Sequence, residues 1–223
     1  MAARTIPAAL EFMEKEIVHD AEAYLGKSFP YEGAEAYLML RFENATEDEI
    51  ESLYPAVAET CLACGALDVF IADTDERQGS LWTARGSFLE AIKNSTPSGI
   101  DECDVVVPID RIPDFVMVAR QIEADTGLRI RGFGHAADGN LHLYTCRDGL
   151  PDDDWKRRND AAMEAMYRLA REMGGQVSGE HGIGHAKVSY LRESAGETAM
   201  ALMRGIKNLF DPRGILNPGK VVG

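Results

Sequence analysis

Two glycine-rich segments hold four of the five histidines of this 223-residue chain. The first segment runs from Gly134 to His142 and also contains His135. The second runs from Ser178 to His185, in the order Ser-Gly-Glu-His-Gly-Ile-Gly-His. Imidazole and carboxylate groups are common ligands of divalent transition ions. The two segments together therefore predict one divalent-metal site.

The first segment also predicts how its two histidines meet. Asp138-Gly139 lies between two short runs of apolar and polar residues, a pattern typical of a tight β-hairpin. With these two residues as the turn, His135 lies directly opposite His142. Opposed residues in a hairpin have Cβ atoms roughly 5 Å apart, close enough for two imidazoles to bind one ion. Opposed histidines can equally form a packed, hydrogen-bonded pair, and the spacing does not separate the two interpretations.

The composition is that of an ordinary soluble globular domain, with 45% apolar and 27% charged residues. The formal charge is −14, from 37 acidic and 23 basic residues. This acidity argues against nucleic-acid binding and against attachment to anionic lipid by charge alone. No apolar run approaches the roughly 20 residues of a transmembrane segment, and no secretory signal opens the chain.

The four cysteines do not form the pattern of a disulfide framework. Cys61 and Cys64 form a C-x-x-C within an apolar stretch of predicted helix, where packing in the core is the expected role. A reducing compartment fits this cysteine usage, so a cytoplasmic location is expected. Peripheral attachment to a membrane through a partner remains open.

Hydrophobic periodicity predicts a single domain, residues 1–223, of the α+β class. Its expected architecture is a ferredoxin-like split β-α-β sandwich: a mostly antiparallel sheet, helices on one face and a helical C-terminal extension. Helices are predicted over 7–25, 46–64, 75–93, 109–126 and 152–173. Strands are predicted over 36–42, 67–72, 104–108, 128–135 and 140–146, the first of them largely buried. The chain contains neither a G-x-G-x-x-G motif nor a Walker loop, so no segment is expected to hold a nucleotide alone.

Three motifs follow one another along the chain. They are Gly134-His135-x-x-Asp138-Gly139-Asn140-x-His142, Gly175-x-x-Ser178-Gly179-Glu180-His181-Gly182-Ile183-Gly184, and Leu209-Phe210-Asp211-Pro212-x-Gly214-x-Leu216-Asn217-Pro218-Gly219-Lys220. Together with the opening residues 7–13, they resemble the C-terminal domain of FAD-linked D-2-hydroxyacid dehydrogenases. That family includes the FAD subunit of glycolate oxidase, D-lactate dehydrogenases and D-2-hydroxyglutarate dehydrogenase.

The resemblance implies the substrate- and metal-binding half of a flavoenzyme. Family members bind FAD mainly through a large N-terminal domain, which is absent from these 223 residues. The expected reaction is oxidation of a small D-2-hydroxy acid to the 2-keto acid, with hydride transfer to FAD on that separate domain or subunit. This chain alone is expected to be inactive. An electron-transfer partner is also compatible with the family.

The resemblance also implies roles for individual residues. His135, His142 and Glu180 match the ligands of a divalent ion, usually described as zinc. A 2-hydroxy acid could chelate that ion through its hydroxyl and one carboxylate oxygen, and the ion would lower the pKa of the hydroxyl. His181 matches the general base that takes the hydroxyl proton. A packed histidine is the alternative for His181.

Three further residues are expected to bind ligands. Arg85 resembles the arginine that binds the substrate carboxylate, although an ordinary helix-surface arginine is an equal alternative, and Asn140 is expected beside it in the substrate site. Asn217 lies in the tail that returns toward the flavin in the family. The family often has glutamate where Gly86 stands, and the hydroxyglutarate enzyme has a lysine near the position of Glu102. These departures favour a substrate of the glycolate or D-lactate type.

Two other functions use the same residues. One is a free-standing hydrolase or lyase with a His-His-Glu metal site, which would turn over without flavin. The other is a non-catalytic metal-binding subunit. The three ordered motifs favour the flavoenzyme.

Overall fold

The computed structural model describes residues 6–29, 33–43 and 46–222. Five strands form one sheet in the order β2-β1-β4-β5-β3, and each neighbouring pair is antiparallel. The strands are β1 (Ala9–Glu14), β2 (Ala36–Arg41), β3 (Ile100–Val106), β4 (Arg129–His135) and β5 (Asn140–Cys146). The α-helices are α1 (Lys15–Leu25), α2 (Glu47–Ala63), α3 (Asp75–Gly86), α4 (Phe88–Ser95), α5 (Ile112–Thr126), α6 (Asp152–Glu172) and α7 (Val188–Phe210). The predicted α+β class and antiparallel sheet are confirmed.

Helices cover both faces of the sheet. Helices α5, α6 and α7 pack on one face, against alternate residues of β5 such as Leu141 and Leu143. Helices α1 and α4 pack on the other face, where Phe88 of α4 contacts Phe133 of β4. The prediction of helices on one face is therefore wrong. The physical reason lies in β5, which is buried along its whole length and so needs a cover on both faces.

The helix predicted over 7–25 begins with a strand. Residues Ala9–Glu14 form β1, which lies between β2 and β4 and pairs with both. The helix starts only at Lys15 and ends, as predicted, at Gly26 in the left-handed conformation. Since β4 lies more than a hundred residues further along the chain, local periodicity does not reveal this pairing.

Other predicted elements also differ from the structure. Residues 67–72 form no strand, since they pair with no strand of the sheet. The helix predicted over 75–93 is divided at Ser87 into α3 and α4. Strand β2 lies at the sheet edge, where it is partly exposed rather than buried. Cys61 and Cys64 are free thiols near the end of α2, and Cys64 is exposed rather than packed in the core.

Several helix boundaries follow the signals in the sequence. Thr46 caps α2, where its hydroxyl accepts a hydrogen bond from the Glu49 N–H at 3.3 Å. Gly127 ends α5 in the left-handed conformation, and α6 matches the helix predicted over 152–173. Among the described residues, no helix is both long and apolar enough to cross a membrane.

The β4–β5 hairpin is confirmed, but its register differs from the predicted one by two residues. His135 pairs with Asn140, and His142 pairs with Phe133. Because side chains alternate along a strand with a period of two, this slip keeps both histidines on the same face of the sheet. The two rings are diagonal neighbours with centroids 5.6 Å apart.

The hairpin turn packs tightly against the end of β3. Gly139 has φ of 81°, and a Cβ added there would lie 1.9 Å from the Val107 carbonyl oxygen. We predict that Gly139→Ala lowers the free energy of unfolding by more than the roughly 1–2 kcal/mol of left-handed strain, because the backbone near Val107 must also move. Gly149→Ala is the matched control, since its φ is 78° and a Cβ there meets nothing within 4 Å. Urea denaturation measures both variants, and equal losses would contradict the contact.

Candidate metal centre

Two of the predicted ligands, His135 and His142, lie on the face of the sheet that carries Phe133 and Tyr144. Pairing between strands places side chains of this face in rows, because alternate residues of each strand point to the same side. The rows are Glu11–His135–Asn140, Phe133–His142–Asp104 and Arg131–Tyr144–Glu102. Two histidines and three carboxylates of distant sequence position thus become neighbours.

Asp104 is fully buried and holds the second glycine-rich segment against the sheet. Its carboxylate accepts hydrogen bonds from Ser178 Oγ at 2.7 Å, the Gly179 N–H at 3.2 Å and the His181 N–H at 3.1 Å. Lys187 Nζ lies 3.4 Å from the same carboxylate. Burial raises the pKa of Asp104, but these donors outweigh it, and the pKa lies below its usual value. Asp104 is therefore ionised at neutral pH, and the segment is fixed to β3.

Three imidazoles converge on Glu180 Oε1. The Nε2 atom of His142 lies 3.2 Å from this oxygen, that of His135 3.4 Å and that of His181 3.6 Å. Zinc bonds of roughly 2.0–2.2 Å place tetrahedral ligand atoms roughly 3.3–3.6 Å apart. The separations of His135 and His142 from Glu180 are therefore close to those of ligands around one ion, and the three donor atoms lie within 4.8 Å of one another.

The other ring nitrogen of each histidine faces a carboxylate. His135 Nδ1 lies 2.9 Å from Glu11 Oε1, and His181 Nδ1 lies 2.8 Å from Glu102 Oε1. His142 Nδ1 is buried without a hydrogen-bond partner in the described chain, 3.5 Å from the same Glu102 oxygen. An ionised carboxylate only accepts hydrogen bonds, so protons are favoured on Nδ1 and lone pairs on Nε2. Lone pairs that converge on a carboxylate oxygen repel one another, and this donor set therefore fits a divalent cation.

Arg85, the predicted substrate-binding arginine, is paired with Glu11. Its Nε and Nη2 atoms lie 2.9 Å and 2.8 Å from Glu11 Oε2. Its guanidinium carbon lies 4.6 Å from the centre of the Phe133 ring, and 12% of its side chain is exposed. The structure thus places Arg85 behind His135, as the anchor of the carboxylate that contacts His135. Binding of a substrate carboxylate by Arg85 stays a prediction.

Glu102 is held on the opposite side of the cluster. Tyr144 donates its hydroxyl hydrogen to Glu102 Oε1 at 2.7 Å. Burial raises the pKa of Glu102. The polar contacts with His142 and Tyr144 and the charge of His181 lower this pKa by more than burial raises it, so it lies below its usual value. Glu102 is therefore an ionised carboxylate beside two imidazoles, with Oε1 2.8 Å from His181 Nδ1 and 3.5 Å from His142 Nδ1.

Asn140 and Asn217, the other two predicted binding residues, lie in different environments. Asn140 is buried beside the cluster, and its Oδ1 has no hydrogen-bond partner among the described residues. A Cβ on Gly179 would lie 2.3 Å from the Asn140 side chain, so the two segments touch there. Asn217 is exposed in the C-terminal tail. That tail returns to the second glycine-rich segment, where the Val221 N–H donates to the Gly184 carbonyl at 2.9 Å.

Sequence reasoning missed four residues of the cluster. Glu11 lies in a segment predicted as helix, and Tyr144 carried no distinctive signal. Glu102 and Asp104 did carry one, since they alternate with buried residues such as Cys103 and Val105 in a strand. Two acidic residues spaced by two on a buried strand indicate that one face of the strand is polar.

The cluster opens outward on one side. The side chains of Glu180, His181 and His135 are 50%, 39% and 35% exposed, whereas that of His142 is 3% exposed. The protein therefore holds the ring of His142 firmly and leaves the opposite side of the cluster accessible.

The anchoring role of Asp104 has a measurable consequence. We predict that Asp104→Ala speeds amide hydrogen exchange at Gly179 and His181 by about 10-fold or more, because a hydrogen bond to a charged group is worth about 1.5–3 kcal/mol. Exchange measured residue by residue tests this. Glu90→Ala is the control, since Glu90 is exposed and forms an ion pair with Lys93 of the same helix. Unchanged exchange at both amides of the Asp104 variant would rule out the anchor.

The chain is similar to several curated oxidoreductases. D-lactate dehydrogenase of Anaerostipes hadrus is 46% identical over 220 residues, which cover 96% of this chain and 46% of that protein. Glycolate oxidase subunit GlcD of Bacillus subtilis is 35% identical over 221 residues, 99% of this chain and 46% of the relative. D-2-hydroxyglutarate dehydrogenase of Xanthomonas citri is 32% identical over 213 residues, 94% of this chain and 43% of the relative. The chain thus spans about half the length of the curated relatives it matches.

Solved structures share the fold at low sequence identity. A crystal structure of p-cresol methylhydroxylase with substrate bound matches 96% of this chain and 46% of that chain, with a TM-score of 0.66 and 12% identity. The family model described as "FAD linked oxidases, C-terminal domain" matches residues 1–221. The chain therefore belongs to the family of FAD-linked oxidase C-terminal domains.

Proposed function

We propose that this chain is the substrate- and metal-binding half of an FAD-dependent dehydrogenase that oxidises a small D-2-hydroxy acid to the 2-keto acid. The observation that carries the proposal is the convergence of three imidazole Nε2 atoms on Glu180 Oε1 in a chain of this family. Relatives named D-lactate dehydrogenase and glycolate oxidase support the substrate class. Because these relatives are about twice as long, FAD binding is assigned mainly to a separate domain or subunit.

His135, His142 and Glu180 are the proposed ligands of the divalent ion. Two neutral imidazoles and one carboxylate are a common catalytic zinc set, so zinc is the proposed ion. When bound, the ion would supply the Lewis acidity that lowers the pKa of a 2-hydroxyl group. Glu11 is hydrogen-bonded to the His135 ring from behind, and burial fixes the His142 ring with Glu102 3.5 Å behind it, so the rings need little reordering on binding.

His181 is the proposed general base. Its Nδ1 faces Glu102 and its Nε2 faces the open side of the cluster, 3.6 Å from Glu180 Oε1. A neutral imidazole in this orientation can take the proton of a substrate hydroxyl on Nε2. FAD, when bound by the other half of the enzyme, supplies the hydride acceptor.

Substrate recognition is assigned to Arg85 and Asn140, and contact with the flavin side to Asn217. Arg85 contributes a positive charge close to the ligand cluster, although Glu11 already neutralises part of it. Asn140 offers a buried amide oxygen without a partner in the described chain. The exposure of Glu180 and His181 agrees with a site that a second domain closes.

A cytoplasmic setting is part of the proposal. All four cysteines are free thiols, as is usual in a reducing compartment. Peripheral association with a membrane through a partner, and an electron-transfer partner, stay predictions.

The proposed metal site predicts that the purified chain binds one zinc, cobalt or manganese ion per molecule. Calorimetry after removal of metals with a chelator should give near-unit stoichiometry, and His142→Ala should abolish binding because it removes a ligand. His19→Ala is the matched control, since His19 is an exposed histidine of α1 outside the cluster. Unchanged affinity after loss of both His135 and His142 would eliminate the site.

The proposed reaction predicts separable roles for Glu180 and His181. In the enzyme that includes the flavin-binding half, dye reduction should occur with D-lactate or glycolate and should be sensitive to chelator. Glu180→Gln should weaken metal binding, because a neutral amide is a poorer ligand than a carboxylate. His181→Ala should keep the metal and lower kcat by roughly 10²-fold or more, as loss of a general base does. Metal loss in the His181 variant with retention in the Glu180 variant would show that the roles are reversed.

A further inference from the structure

We propose that Glu102 is a positioning residue that orients His181, with Nε2 directed toward the reacting hydroxyl. The inference deepens the proposed function and rests on it for the role of His181. The short contact between Glu102 and His181 on which it depends, however, belongs to this chain alone, and its effect on the His181 ring is measurable without metal or flavin.

A single oxygen of Glu102, Oε1, contacts both Tyr144 and His181. Glu102 lies on β3 directly opposite Tyr144 of β5, so both side chains share the site face. Oε1 of Glu102 accepts a hydrogen bond from the Tyr144 hydroxyl at 2.7 Å and lies 2.8 Å from His181 Nδ1. The Glu102 side chain is 26% exposed, so solvent only partly competes for this oxygen.

The chemistry of these groups determines the histidine tautomer. At neutral pH an ionised carboxylate offers no proton, so the short contact needs hydrogen on His181 Nδ1. The neutral ring then has its lone pair on Nε2, the nitrogen that points into the cluster. Stacking on His142 restricts rotation of the ring, since the two centroids lie 4.8 Å apart with planes inclined by 21°. Glu102 thus prepares His181 to accept a proton, much as a carboxylate orients histidine in other acid–base pairs.

A second metal site is the competing explanation. Donor atoms of Glu102, His142 and His181 also lie within 4.8 Å of one another. The 2.8 Å separation of Glu102 and His181 is a direct hydrogen-bond distance, however, and is shorter than the roughly 3.3–3.6 Å between ligand atoms of a tetrahedral zinc ion. The 3.2 Å and 3.4 Å separations at Glu180 are closer to ligand spacing. The distances therefore favour a direct carboxylate–imidazole contact at Glu102 and metal binding at Glu180.

Ring nitrogen-15 NMR of the metal-free chain tests the proposal at a pH where the histidines are neutral. The expected parent signature of His181 is one tautomer with hydrogen on Nδ1. Glu102→Leu removes the acceptor, and the ring should shift to a mixture or to the Nε2–H form. Glu102→Gln should retain the Nδ1–H form, because its amide oxygen still accepts. Glu90→Leu is the control for an acidic-to-leucine change away from the site.

Metal titration of the same variants separates positioning from ligation. Glu102→Leu should keep near-unit stoichiometry and lose about 10-fold to 100-fold in affinity, as the loss of a carboxylate behind a ligand histidine does. Complete loss of binding, as in His142→Ala, would make Glu102 a ligand and overturn the proposal. A His181 tautomer that is Nε2–H in the parent, or unchanged in a folded Glu102→Leu chain, would also overturn it. Glu102→Ala replaces the leucine variant if that variant fails to fold, as judged by its backbone amide spectrum.

These outcomes separate the role of Glu102 from the proposed function. A parent chain that binds no metal would remove the proposed function, while the tautomer result would still show whether Glu102 orients His181. Normal metal binding with an unaffected tautomer would remove the role of Glu102 and leave the proposed function in place.

Discussion

The buried carboxylate of Asp104 joins the two parts of the candidate site. Burial of an ionised carboxylate costs several kcal/mol unless donors surround it. Here Ser178, two backbone N–H groups and Lys187 provide those donors, and three of them belong to the segment that carries Glu180. Val106 and Gln176 also exchange two backbone hydrogen bonds, which attach the chain to β3 two residues before that segment begins. The position of Glu180 relative to the histidine hairpin depends on these contacts.

The sheet provides the rigid half of the site. His135 and His142 project from two central strands, and a carboxylate from a neighbouring strand faces the inner nitrogen of each ring. Arg85 and Tyr144 in turn hold those carboxylates. Rings restrained in this way lose little conformational entropy when they bind an ion, so this second layer of contacts prepares the cluster for a cation.

The outer side of the cluster is open in this chain. The side chains of Glu180 and His181 are 50% and 39% exposed. The chain spans about half the length of its curated relatives. The proposed function gives the two halves of the enzyme different roles. This half would bind the hydroxy acid and move its proton, and the flavin-binding half would complete and close the site.

Local sequence was sufficient for some features and insufficient for others. The β4–β5 hairpin, the Thr46 cap and the Gly127 stop depend on neighbouring residues and were confirmed. The predicted two-residue turn at Asp138-Gly139 was wrong, since His135 pairs with Asn140 and four residues lie between them. The strand period of two also placed His135 and His142 on one face, even though the predicted register was wrong by two residues.

Pairing across long sequence distances could not be predicted from local sequence. This long-range pairing makes residues 9–14 a strand inside the sheet and places Glu11 behind His135. It also places Asp104 and Glu102 beside the hairpin. The residue types that can bind a cation are thus visible in the chain, whereas the carboxylates that orient them come from strands whose partners only the folded sheet selects.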